Sequence, residues 1–156
     1  MLIKTGNIVN FCKNLYITCI IILIDIYSKY LVNHYMKYNE YKKIFTFINL
    51  LYVKNYGLLL NIYEKIYQKY QYTILILQLI LIIYFIYKTF YTSHYYSYQC
   101  ILGATISNTV DRLYHGYIID FIDINFNDYH VIIFNFSDLI FFIGIILRLY
   151  QLNVKN

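Results

Sequence analysis

Long apolar runs, broken at a few points by single polar residues, dominate this chain. Four of them, near Leu15–Val32, Thr73–Tyr91, Tyr95–Leu113 and Ile132–Tyr150, are long enough to predict helices that cross a bilayer, which takes roughly 20 residues at about 1.5 Å of rise each. The second is almost pure Ile, Leu, Tyr and Phe. The third is the least apolar, and its Gln99, Thr105, Ser107 and Asn108 must face other helices rather than lipid. The connections differ in kind. His34–Tyr72 is polar and Lys-containing, with β-forming residues over Ile44–Val53 and a turn signal at Tyr56-Gly57. A small extramembrane sheet is expected there, followed by an interfacial helix around Asn61–Tyr70. Lys88–His94 is a short link, and Tyr114–Val131, with Gly116 and three acids, reads as a surface loop. The pattern as a whole predicts an all-α membrane protein, a single embedded domain over residues 1–156 with a small sheet outside the bilayer.

Composition sharpens this. The 156 residues are 60% hydrophobic and only 13% charged, with a mean hydropathy of +0.49, which excludes an ordinary soluble domain. The net charge of +5 comes from Lys and Arg scattered singly, with no basic stripe, so no nucleic-acid partner is expected. Three cysteines, Cys12, Cys19 and Cys100, are odd in number and lack CxxC spacing, which argues against disulfide or metal frameworks. Lys4 and Lys13 precede the first apolar run as in a signal peptide, but no small-x-small cleavage pattern follows; an uncleaved first helix is expected. The 22 tyrosines, with no Pro or Trp, fit the drift of an AT-rich genome, so single Tyr, Asn or Lys residues carry little weight.

Carboxylates are scarce, and their placement is informative. Of eight Asp and Glu, five fall between Asp111 and Asp138. A carboxylate at membrane depth costs about 2.5–3.5 kcal/mol on insertion scales and is a functional candidate by default. Asn108 and Asp111 are three apart, as are Asn135 and Asp138, with Asp120 between the pairs. Residues three apart share a helix face, and the short connection brings both pairs to one membrane surface. Two carboxylates converging at low dielectric share a proton, which suits acid–base hydrolysis of a peptide. One Asn-x-x-Asp alone is most simply a helix-end cap; two of them with a third Asp favour a site. Asp111 is followed by Arg112, a cation that keeps it ionised if the two side chains meet, whereas Asp120 has no adjacent cation. Asp25 and Lys29 form an i,i+4 pair in the first span, by default a structural one. His34, His94, His115 and His130 share no ligand spacing, so no metal is expected, and no nucleophilic triad or glycine-rich phosphate loop is present. Besides a peptidase, the residues leave open a small ion or proton transporter with a carboxylate relay, or a non-catalytic assembly subunit.

In this light the chain resembles the lipoprotein signal peptidase family, signal peptidase II. Asp25-Ile-Tyr-Ser-Lys29 resembles its Asp-x-x-x-Lys, and Asn55-Tyr-Gly57 its Asn-x-Gly. Gly103-Ala-Thr-Ile-Ser-Asn108-Thr-Val-Asp111-Arg112 resembles the glycine-rich motif ending Asn-x-x-Asp-Arg. Gly116-Tyr-Ile-Ile-Asp120-Phe-Ile and Phe134-Asn135-Phe-Ser-Asp138 resemble the two remaining motifs, in order. The resemblance implies an intramembrane aspartic endopeptidase with Asp120 and Asp138 as catalytic dyad and Asp25, Lys29, Asn55, Gly57, Asn108, Asp111, Arg112 and Asn135 as supporting residues. It further implies diacylglyceryl-modified prolipoprotein substrates cut before the lipidated Cys, no cofactor, membrane lipid as surroundings, and a monomer of four transmembrane helices, a β-cradle and an interfacial helix in the inner membrane. The family holds its termini in the cytoplasm and its site toward the periplasm. Charge alone points the other way, because the long loop carries Lys37, Lys42, Lys43, Lys54, Lys65 and Lys69; five ordered motifs outweigh that tally. The chain departs from the motifs at Ala104 and Ser107, both usually Gly, at Ser137, usually Ala, at Ile132-Ile133, which lack the usual Pro, and at Leu58–Asn61.

Overall fold

The computed structural model describes residues 15–56, 64–92, 95–126 and 129–154. The described residues hold four helices: α1 (Tyr16–Tyr35), α2 (Glu64–Tyr91), α3 (Tyr95–His115) and α4 (Phe136–Asn153). Between them lie β1 (Tyr41–Lys42), β2 (Ile48–Asn55), β3 (Ile118–Phe126) and β4 (Tyr129–Phe134). The strands form one antiparallel sheet in the order β1-β2-β3-β4.

Among the described residues, three helices are long and apolar enough to cross a membrane, over Tyr16–Tyr35, Tyr70–Tyr91 and Phe136–Asn153. The apolar surface of α2, with Ile76, Leu77, Ile80 and Ile83 all exposed, suits contact with lipid rather than water. The polar α3 lies instead at the centre, packed against α1, α2 and α4. It buries Ser97, Gln99, Thr105, Ser107, Thr109 and Asp111. Gln99 is spent on α1: its side-chain oxygen accepts from Ile17 N and its backbone carbonyl from the Thr18 hydroxyl, both at 3.1 Å. Small residues let the helices approach closely. A Cβ on Gly144 of α4 would meet Ile101 Cγ1 at 2.8 Å and the Ser97 carbonyl at 3.1 Å.

Two expectations need correction. Tyr114–Val131 is no surface loop. Gly116, at φ 77°, closes α3 with its N–H on the Arg112 carbonyl and turns the chain into β3, an interior strand that buries Ile118, Ile119, Asp120 and Phe121. A left-handed residue just past a helix end is the usual glycine device. The fourth helix begins at Phe136, not Ile132, because Ile132–Phe134 belong to β4. The expected interfacial helix falls partly outside the described residues, at 61–63; from Glu64 the chain is already in one continuous helix to Tyr91.

The sheet seats on the end of α1. Val32 and Met36 of that end form one cluster with Tyr52, Ile119 and Phe121, and the Tyr52 hydroxyl donates to Asn33 Oδ1 at 2.8 Å. The β2–β3 register slips by one residue, from Leu50↔Ile122 to Val53↔Asp120. Side chains alternate faces along a strand, so a one-residue bulge changes which of them share a face. In the regular register Tyr52 would oppose Asp120 and Lys54 would be its diagonal neighbour. The bulge puts Val53 opposite Asp120 and hands that neighbouring place to Asn55.

Candidate active site

Five elements deliver the candidate side chains. Asp120 comes from β3, Asn55 from β2, Asp25 and Lys29 from α1, Asn108 and Asp111 from α3, and Asn135 and Asp138 from the start of α4. All eight converge on one connected hydrogen-bond network. Gly57 lies outside the described residues, and Arg112 is half-buried in the last turn of α3.

Asn135 joins the two carboxylates. Its side-chain amide donates to Asp120 Oδ1 at 2.7 Å, and its backbone N–H faces Asp138 Oδ2 at 3.3 Å. Asn135 is also the N-cap of α4: its side-chain oxygen accepts from Asp138 N at 2.9 Å, which with the return contact completes a capping box. The second oxygen of each acid has an amide of its own, Asn55 Nδ2 to Asp120 Oδ2 at 2.8 Å and Asn108 Nδ2 to Asp138 Oδ1 at 2.9 Å. The dyad is thus held by neutral donors, and no side-chain cation touches either acid in the described structure. Burial pushes the Asp120 carboxyl up to about 7, and the charge of Asp138 adds to the rise, while the Asn55 and Asn135 hydrogen bonds and the charge of Lys29 oppose it. Carboxyls are raised in this way by desolvation and by a like charge nearby.

The cation sits one layer behind. Lys29, 2% exposed, places its ammonium 2.6 Å from Asp25 Oδ2, 2.9 Å from Asp111 Oδ2 and 2.8 Å from Asn108 Oδ1. An ammonium has three N–H donors, and all three are matched. Asp25 is fully buried and takes two further donors, Ser137 N at 2.8 Å and the Ser107 hydroxyl at 2.5 Å. Asp111 also accepts from Ile119 N at 3.2 Å, tying α3 to the strand that carries Asp120. The cation serving Asp111 from across the bundle is Lys29, a partner that the neighbouring Arg112 did not foretell. The Asp25–Lys29 pair is equally not self-contained, because Lys29 spans two carboxylates and the Asn108 amide. Sequence reasoning named Ser107 as a polar residue that faces other helices and, with Ser137, as a departure from a motif; their contacts to Asp25 depend on how three helices meet.

The profile of a family described as signal peptidase (SPase) II matches residues 17–154. The chain belongs to the signal peptidase II family. A lipoprotein signal peptidase of Buchnera aphidicola subsp. Acyrthosiphon pisum (strain Tuc7) is 36% identical over 142 residues, covering 86% of this chain and 89% of that protein. One from Thermodesulfovibrio yellowstonii is 31% identical over 137 residues, covering 88% and 91%. A solved bacterial membrane enzyme superposes with a TM-score of 0.77 at 24% identity, covering 90% of this chain and 87% of its own. A second gives a TM-score of 0.74 at 23% identity. Family and apolar helices together make this a bacterial membrane protein of a protease family, which leaves the transporter reading without support.

Proposed function

We propose that this signal peptidase II family member is an aspartic endopeptidase in which Asp120 and Asp138 activate one water between them. The observation that carries the reading is the Asn135 bridge. One residue touches both acids, so the pair is set as a unit at a sheet–helix junction. With its carboxyl pushed up to about 7, Asp120 supplies the proton to the scissile carbonyl oxygen. Asp138 has the N-terminus of α4 behind it, where the helix dipole favours an anion, and takes the proton from the attacking water. Collapse of the tetrahedral intermediate returns a proton to the leaving amine, completing acid–base hydrolysis with no covalent intermediate. Asn55 and Asn108 hold the outer oxygens so that the inner ones face the water.

The substrate is a diacylglyceryl-modified prolipoprotein, cut before its lipidated Cys. Its lipid confines the scissile bond to the membrane surface, replacing a search in solution by local positioning. In this reading α3 is the fourth crossing helix, polar because other helices rather than lipid surround it, and the start of α2 runs along the interface. The termini are cytoplasmic, the sheet and dyad face the periplasm of an inner membrane, and a monomer suffices because one chain supplies every site residue. The test is incubation of the purified protein with a lipidated prolipoprotein, read as a mobility shift. Asp120→Asn and Asp138→Asn should each abolish the shift while leaving the folded fraction largely intact. Near-normal turnover by either variant would remove the dyad assignment.

A further inference from the structure

We infer that Ser107 is a positioning residue for the dyad, acting through Asp25, Lys29 and Asn108; the inference rests on the peptidase reading above. Its starting point is a constraint on the Asn108 amide. Lysine carries donors only, so the atom of Asn108 that meets Lys29 at 2.8 Å must be the carbonyl oxygen. The amide nitrogen then has to point the other way, where it donates to Asp138 Oδ1 at 2.9 Å. Asn135 Nδ2 also donates to Asn108 Oδ1, at 3.3 Å, but the shorter, charged contact from Lys29 is the stronger determinant of the amide's sense. A flipped Asn108 would set an oxygen against the Asp138 carboxylate and leave that acid without its side-chain donor.

What holds Lys29 on Asn108 is a balance of acceptors. All three ammonium hydrogens are matched, to Asp25, Asp111 and Asn108. Asp25 Oδ2, fully buried, is supported by two donors, Lys29 and the Ser107 hydroxyl. Ser107 is itself fully buried and directly precedes Asn108 on α3. Without its hydroxyl, Asp25 Oδ2 keeps only the ammonium, and a buried carboxylate short of a donor draws the nearest cation. The ammonium moves toward Asp25 and away from the neutral Asn108 oxygen, the weakest of its three acceptors. Asn108 Oδ1 then keeps only the longer contact from Asn135 Nδ2, and the amide is held less firmly. Ser107 touches neither acid of the dyad, yet its proton sets which atom Asp138 meets.

The test uses the full-length purified protein in detergent micelles with a synthetic diacylglyceryl-modified prolipoprotein peptide, reading kcat, KM and thermal midpoint separately. Ser107→Ala should lower kcat about tenfold, the scale of one hydrogen bond to a charged group, with KM within twofold and the thermal midpoint nearly unchanged. Ser107→Thr, which keeps the hydroxyl, should recover most of kcat; if its added methyl prevents folding, Ser107→Cys, a weak donor of similar size, should fall between wild type and Ala. Thr109→Ala is the control for loss of a buried α3 hydroxyl, because Thr109 bonds only the Thr105 carbonyl of its own helix, and should keep wild-type kcat. Wild-type kcat in Ser107→Ala overturns the inference, as does a loss confined to KM or to the folded fraction, or an equal kcat loss in the Thr109 control. A wild-type protein that leaves the peptide whole overturns the peptidase reading, and the inference with it.

Discussion

Replacing Asp120 by Asn should abolish cleavage and at the same time make the folded protein more stable, by an amount that depends on pH. Asp120 is 2% exposed, and its carboxyl is pushed from an ordinary value of 3.8 up to about 7, by burial first and by the charge of Asp138 second. The folded state therefore holds this proton more tightly than the unfolded chain does. By linkage, stability falls as pH rises from about 4 through about 7 and is level above that. At about 1.4 kcal/mol per pH unit, ionised Asp120 costs the wild-type fold roughly 4 kcal/mol at pH 8. Asn cannot ionise, so the variant escapes that penalty. It keeps one acceptor oxygen for Asn135 or Asn55 but presents an N–H₂ to the other amide donor, forfeiting a hydrogen bond of about 1–1.5 kcal/mol. The net expectation is a variant about 2–3 kcal/mol more stable at pH 8, with the advantage shrinking toward zero or reversing near pH 4. Thermal unfolding of both proteins in the same micelles at pH 4.5, 6, 7 and 8 measures it. A difference in midpoint that does not change with pH, or a variant less stable at pH 8, would refute the argument that burial strains this acid.

The charge layer gives a second test. Asp25→Asn together with Lys29→Gln should be no better folded or more active than Asp25→Asn alone, because the double variant strips Asp111 of the ammonium at 2.9 Å; recovery in the double variant, read by protein level and cleavage rate, would mean that Asp25 and Lys29 serve only each other. Asn55→Leu deletes a hydrogen bond that holds the Asp120 carboxyl down, so the alkaline limb of the rate–pH profile should move to higher pH, and a limb that stays or falls contradicts the assigned acid. Topology is checked at Lys43, exposed in the β1–β2 turn: Lys43→Cys, in a background without the native cysteines, should react with a membrane-impermeant reagent in intact cells, and protection until lysis would place the sheet in the cytoplasm.

What was legible in the sequence follows how local each signal is. Three of the four described helices announce themselves by apolar length, and the fourth by the polar residues it has to bury. The strands were harder. Ile118–Phe126 carries Asp120, Asp123 and Asn125 among its apolar residues, and acids at that density ordinarily mark a loop. Asp120 is buried in a strand because Asn55 and Asn135, distant in sequence, donate to it, while Asp123 meets His130 of the neighbouring strand through one oxygen, at 2.8 Å. The short apolar run of β4 merges by hydropathy into α4, since such a run reads equally as strand or helix. The bulge that selects Asn55 over Lys54 leaves no mark in the sequence, because it is a property of two strands and not of either one.

The junction at Asn135 shows why the two readings of Asn-x-x-Asp, cap and site, are not alternatives here. A helix start leaves backbone N–H groups without intrahelical partners. At α4 those groups are answered by the capping box of Asn135 and Asp138, and by Asp25, which accepts from Ser137 N. Capping fixes the backbone of Asn135, and with it the direction of the side-chain amide that reaches Asp120. It also fixes Asp138 in the first turn, one oxygen toward the cap and the other toward the Asn108 amide. The end of β4 delivers Asn135 one residue beyond the last pairing with β3, Ile122↔Phe134. The ordinary requirements of ending a strand and starting a helix thus bring Asp138 to the strand that carries Asp120. Asn135 is the residue at which a substitution should cost both: Asn135→Ala removes the cap and the bridge together, whereas Asn135→Ser restores the cap but is too short to reach Asp120. A folded but inactive Asn135→Ser variant, beside a destabilised Asn135→Ala, is the outcome this coupling requires. A Ser variant with wild-type turnover would show that the cap alone sets the dyad.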